Sequence, residues 1–196
     1  MDGRRIDVAG LLASRAAPPL LGVVAMVLAA PSLTTGWQMD DHFHRLKMIG
    51  PAQAVDASHG RLDLFRFLDG DPDRTRALID RGRIPWWTFP GIRAAFWRPV
   101  TVFTHWLDYR LWPTSPALMH GQSLLWLGAL VTAAGFMYRR LMGAVPVAGL
   151  ATLLYAVDDA RATTVGFLAN RNALVAALFG VLAIILHGGA GRCSLR

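Results

Sequence analysis

Asp40 and Asp41 stand side by side, with His42 and His44 immediately after them. Like charges this close favour a shared proton, which makes one of the two carboxylates a candidate base. The same pair offers oxygen ligands to a divalent cation, with Asp41 the candidate metal residue, and the two histidines could add ligands or relay protons. The plainer alternative is a solvated polar cap on the end of an apolar run. Arg171, between Asn170 and Asn172, is the second suggestive residue. A charge inside hydrocarbon costs about 2.5–3.5 kcal/mol on insertion scales, so such a group either snorkels to the surface or binds something anionic. Arg98, His105 and Asp108 fall with Thr101 at spacings of three and four, which places them on one helical face. His120 opens a long apolar run and is either a packing residue or part of a site. The sequence contains no phosphate-binding glycine loop with its lysine, no nucleophile elbow and no zinc-protease helix motif.

The elements that must position these residues are set by an unusual composition. Of 196 residues, 54% are hydrophobic and only 17% charged, against about 25% charged in soluble domains. Mean hydropathy is positive. A crossing helix needs about 20 mainly apolar residues, because hydrocarbon cannot satisfy the backbone. Four runs qualify by composition, and the expected fold is an all-α polytopic membrane protein with spans at 17–36, 117–138, 141–157 and 163–188. Residues 1–16 and 189–196 become cytoplasmic tails, and 37–116 an outer loop. Arg4, Arg5 and Arg15, Arg139 and Arg140, and Arg192 and Arg196 then all lie on one side, as the positive-inside rule asks. Both termini are thus expected in the cytoplasm, with the chain in a bacterial inner membrane. The rival reading, a cleaved signal peptide, suffers from a long uncharged first run and no clean cleavage site. The formal charge of +7 resides largely beside apolar runs, where it meets lipid headgroups, and nucleic acid is not an expected partner. Cys193 is the single cysteine, so no internal disulfide or cysteine-based zinc site supports the fold.

The outer loop is too long to be a bare connector. Asp56 to Ile84 is charge-dense and predicts soluble helices, with Gly70-Asp71-Pro72 as a turn that starts a new one. Trp86, Trp87, Phe89, Phe96, Trp97, Phe103, Trp106 and Trp112 crowd the following stretch, a composition suited to the headgroup layer. Arg98 to Trp112 predicts an interfacial helix. Its apolar stripe would be Phe96, Val100, Phe103, Leu107 and Leu111, and its polar face Arg98, Thr101, His105 and Asp108.

Several of these segments together resemble GT-C type membrane glycosyltransferases, in particular the relatives of protein O-mannosyltransferases that include tetratricopeptide-repeat forms. Gln38-Met39-Asp40-Asp41 is similar to the acidic motif after their first span. Trp97-Arg98-Pro99-Val100-Thr101, Trp106-Leu107-Asp108-Tyr109 and Pro116 through His120 resemble the next conserved run. Leu154-Tyr155-Ala156-Val157 and Phe167 through Asn172 resemble a later one. The resemblance covers most of residues 35–180 and implies transfer of a sugar from a polyprenyl-phosphate carrier at the outer face. It implies Asp40 or Asp41 as base or metal-associated carboxylate. Arg171 and Arg98 would face the carrier phosphate, and His105, Asp108 and His120 would lie on the substrate side. Where the family shows His-Pro and then a glutamate, this chain has Asp158-Asp159 and Thr163-Thr164. The family also has many more than four spans. The expectation is therefore an N-terminal portion, a truncated product or a degenerate paralogue, completed by a C-terminal half or a partner membrane subunit. The competing expectation is a non-catalytic membrane protein that keeps this part of the fold as a binding or assembly module. A small transporter is a remoter one, since no paired broken helices appear.

Overall fold

Prolines and glycines decide where each apolar run begins and ends. The computed structural model describes residues 7–51, 60 and 63–193, and the chain divides into two units, Met1–Asp41 with Thr114–Arg196, and His42–Pro113. In the first unit, α1 (Val8–Ala13) is capped by the Asp7 side chain, which accepts from Gly10 N at 2.9 Å. Pro18 and Pro19 lie in the first turn of α2 (Ala17–Leu28), where a missing N–H costs nothing. Pro31 then ends the α-helix, and a tighter 3-10 turn carries the run on through Ala30–Thr34.

The second apolar run gives α6 (Pro116–Met142), whose 27 residues reach about 40 Å. It extends beyond the expected end at 138 and takes Leu141 and Met142 from the third run. Gly143, at φ +86°, and Pro146 break the chain there, so α7 (Pro146–Val157) has only 12 residues. The fourth run is broken too. Residues from Thr163 form a short α8 (Ala162–Gly166), then a 3-10 turn at Leu168–Asn170, and only then α9 (Arg171–Cys193). Among the described residues, three segments are long and apolar enough to cross a bilayer: Ala17–Thr34, Pro116–Met142 and Leu168–His187.

The core of this unit is a seam of Leu21, Ala25, Leu127, Leu130, Val131 and Leu174 with their neighbours. Lipid is as apolar as leucine, so helices here gain from close backbone approach through small residues. A Cβ on Gly22 would come within 2.7 Å of the Gly128 carbonyl oxygen, and one on Gly135 within 2.8 Å of Pro18 Cβ. Arg139, expected only as a topology signal, also caps a helix. It donates to the Ala13 and Ser14 carbonyls at 2.6 Å each, a cation on the carbonyl end of α1.

The second unit holds most of α3 (Asp40–Ile49), α4 (Pro72–Asp80) and α5 (Pro99–Leu111). Asp71 caps α4 by accepting from Asp73 N at 2.9 Å and Arg74 N at 3.4 Å, so the predicted turn and helix start are present. The surrounding expectation of helices alone is corrected. Arg66–Asp69 (β1) and Arg93–Ala95 (β2) pair antiparallel, with Leu68 opposite Ala94 and a bulge between Arg66 and Leu68. Gly70 closes β1 at φ +90°, a backbone region that glycine enters without strain. Residues 56–59, 61 and 62 of the predicted helical stretch lie outside the described residues.

Candidate functional site

The acidic pair does not act as a pair. Successive helical positions differ in direction by about 100°, and at the start of α3 this leaves Asp40 exposed while Asp41 is 1% exposed. Met39, at φ +42°, turns the chain just before them. The Asp41 carboxylate accepts from Gln38 N at 3.0 Å, Leu168 N at 3.3 Å and Ala169 N at 2.6 Å. It thereby holds the break between α8 and α9 through amides that have no helical carbonyl to serve. Burial pushes the Asp41 carboxyl above its ordinary value, while the three amide bonds and His120 pull against that rise.

His120 and Arg171 join the same cluster. His120 Nδ1 lies 3.0 Å from the Val165 carbonyl oxygen, and Nε2 lies 2.8 Å from that of Gly36 and 3.1 Å from Thr35 Oγ. Arg171 is fully buried at the first position of α9. It donates from Nε to Ser123 Oγ at 3.0 Å, from Nη2 to the Met119 carbonyl at 2.7 Å, and from Nη1 to Gln122 Oε1. Three residues far apart in sequence thus converge on the opening turns of α6. Their polar atoms are turned toward protein partners, an arrangement that fastens helices together.

The Asp41 carboxylate, the expected metal residue, is engaged by backbone amides. Amide hydrogens carry partial positive charge and point at both of its oxygens, so they oppose a cation there. His42 is exposed and His44 buried, which separates the two imidazoles expected to help. Among the described residues no three His, Cys, Asp or Glu side chains gather where they could hold an ion.

The second unit carries a different arrangement. α5 has its polar face inward and its apolar face outward. Thr101, Thr104, His105 and Asp108 are buried, while Val100, Phe103, Trp106 and Leu111 are exposed. Asp108 accepts from Trp112 Nε1 at 3.2 Å, and His105 meets the His44 ring edge-on at 5.3 Å. His44 is itself wrapped by Phe65 at 4.9 Å and Phe67 at 6.4 Å, and neither of its ring nitrogens finds a hydrogen-bond partner among the described residues. Burial, helped by Lys47 and Arg98, lowers its pKa to about 4, so the ring is neutral.

Arg98 precedes α5 at the edge of this cluster. Its guanidinium lies 4.7 Å from the centroids of both Phe65 and Phe96, a cation held between two aromatic faces. Burial lowers its pKa, and among the described residues its guanidinium makes no hydrogen bond or ion pair. A half-open groove of about 530 Å³ lies here, lined by Asp63, Phe65, Phe96, Trp97, Arg98 and Trp106 among others. Phe65 could not be found from its sequence position. It reaches Arg98 through the strand pairing, in which Phe96 N donates to the Phe65 carbonyl at 3.1 Å. His44 was visible only as a metal or relay candidate, and its aromatic surroundings come from Phe65 just before β1, Phe67 within it and His105 of α5.

Fold and sites together define a predominantly helical protein with the hydrophobic spans of a membrane protein and an arginine-bearing aromatic groove outside them. No family model matches the chain, and neither does any curated protein or solved structure.

Proposed function

We propose that the protein binds a polyprenyl-phosphate-linked sugar at the outer face of a bacterial plasma membrane and acts in sugar transfer, as the resemblance to GT-C glycosyltransferases implies. The observation that carries this reading is Arg98. A guanidinium with no anionic partner, set in a groove of aromatic rings, suits a phosphate joined to a sugar ring and an apolar tail. Arg171 is the weaker phosphate residue, because Ser123, Gln122 and Met119 already engage its guanidinium. Exposed Asp40 is the freer of the two carboxylates to serve an acceptor.

The reading includes four crossings with both termini cytoplasmic. Its support is that α9 begins beside the first turns of α6, while the chain leaves α6 at the other end, about 40 Å away. Residues 143–167 must travel back over that length, with α7 as a short third crossing. A three-crossing scheme would put Arg192 and Arg196 on the side opposite Arg139 and Arg140, against the positive-inside rule.

Asp41 favours a second reading, a non-catalytic binding or assembly module, because its carboxylate serves the fold. Full-length protein in nanodiscs, offered a radiolabelled polyprenyl-phosphate hexose and an acceptor extract, tests both. Binding that falls about tenfold or more in Arg98→Gln is expected from loss of a charge-assisted contact of about 1.5–3 kcal/mol. Transfer abolished by Asp40→Asn in a normally inserted protein supports the enzyme. Carrier binding without any transfer supports the module, and no binding by the unaltered protein rejects both.

A further inference from the structure

The turn between α4 and β2 presents large aromatic side chains to solvent. Trp86 is 80% exposed, Trp87 70% and Phe89 71%. Two successive turns build this tip. Thr88 N donates to the Pro85 carbonyl at 3.0 Å, with Thr88 Oγ on the same oxygen at 2.7 Å, and Ile92 N donates to the Phe89 carbonyl at 3.0 Å. The two indoles meet edge-on at 5.6 Å, which presents them as one broad wedge. Arg81, Arg83 and Arg93 flank the wedge and are exposed, and among the described residues none has a side-chain hydrogen bond or ion pair. No carboxylate occurs from Arg81 to Leu107.

We infer that the 85–91 tip docks in the anionic headgroup layer of a phospholipid bilayer. Indole rings favour that layer because the ring is half buried while N–H stays wet. Each arginine near an anionic surface adds about 1 kcal/mol of attraction that decays within a Debye length. The charge pattern is what separates lipid from a soluble protein partner. Arg81, Arg83 and Arg93 flank the aromatic tip on both sides in sequence with no acid between them, which suits an anionic plane. Connectivity agrees, since the segment lies between the candidate spans that end at Thr34 and begin at Pro116, and both of its ends are tied to the bilayer.

The test places a nitroxide at Trp87→Cys in a Cys193→Ser background, in full-length protein held in nanodiscs of pure phosphatidylcholine or phosphatidylcholine with phosphatidylglycerol. A label at Arg76→Cys, on an exposed position of α4, is the water reference. Expected is a severalfold higher ratio of oxygen to nickel-chelate accessibility at 87 than at 76 in the anionic discs, reduced in molar salt and by Arg81→Glu with Arg83→Glu. A label at 87 as open to the nickel chelate as the one at 76, in both compositions, overturns the docking and leaves the tip for a soluble partner. Equal immersion with and without the anionic lipid overturns its electrostatic basis.

Discussion

Acidification should loosen residues 42–113 through His44. An unfolded histidine takes up a proton near pH 6.5, whereas His44, desolvated among Phe65, Phe67 and His105 and close to Lys47 and Arg98, does so only at about 4. Between those values the unfolded chain binds more protons than the folded one. Stability is therefore complete above pH 6.5 and falls as pH drops toward 4. At about 1.4 kcal/mol per pH unit the loss comes to about 3 kcal/mol, or about a hundredfold in the opening equilibrium. Asp41 works in the opposite direction, since its raised carboxyl binds a proton more readily when folded, so a global unfolding curve would blend the two effects. The assay must be local. Hydrogen exchange of α3 and α5 amides in detergent-solubilised protein, corrected for intrinsic rates, should show protection falling by about that factor from pH 6.5 to 4. His44→Phe, placed among phenylalanine rings, should keep its protection across the same range. Unchanged protection in the unaltered protein, or an equal loss in His44→Phe, would refute the assignment of a neutral buried imidazole.

Three further outcomes follow from the first unit. Gly22→Ala should destabilise it by about 1–3 kcal/mol, since the new methyl meets the Gly128 carbonyl at 2.7 Å, and thermal unfolding in detergent measures this. Arg171→Met should lower the same transition by about 3 kcal/mol, because it leaves Ser123, Gln122 and the Met119 carbonyl without their donor in a buried place. Asp41→Asn should cost about 1–3 kcal/mol through loss of a charged acceptor for three amides, whereas Asp40→Asn should leave the transition where it is.

Much of the first unit was legible because its determinants are local. Pro18, Pro116 and the apolar runs mark helix starts by chemistry that does not depend on neighbours. The third run was expected to start at 141 because it carries no charge, whereas backbone geometry at Gly143 and Pro146 starts the helix at Pro146. Spacing gave the two faces of α5 correctly, with the apolar stripe outward. Strand pairing was illegible. Four residues at 66–69 and three at 93–95, separated by a helix, carry no periodicity to reveal a partner, and the placing of Phe65 beside Arg98 depends entirely on that pairing.

The same distinction explains why residue type alone could not tell a ligand site from a structural role for the polar residues of the candidate site. Asp41 and Arg171 attract notice because charge near an apolar run is costly, and that cost can be met in two ways. A ligand can meet it, or the protein's own backbone can. The segment 165–171, where α8 stops and α9 has not yet begun, leaves amides and carbonyls without helical partners inside a largely apolar unit. Asp41 accepts from two of those amides, and His120 faces the Val165 carbonyl. Arg171 ties the start of α9 to α6 through two side chains and the Met119 carbonyl. Here the cost of burying charge is offset by the cost of a broken helix, a requirement that arises from breaks elsewhere in the chain. Arg98 faces no such demand. Its backbone begins α5, but its guanidinium serves no carbonyl and no carboxylate among the described residues. A cation kept in place by aromatic faces alone is the one whose partner is best sought outside the protein.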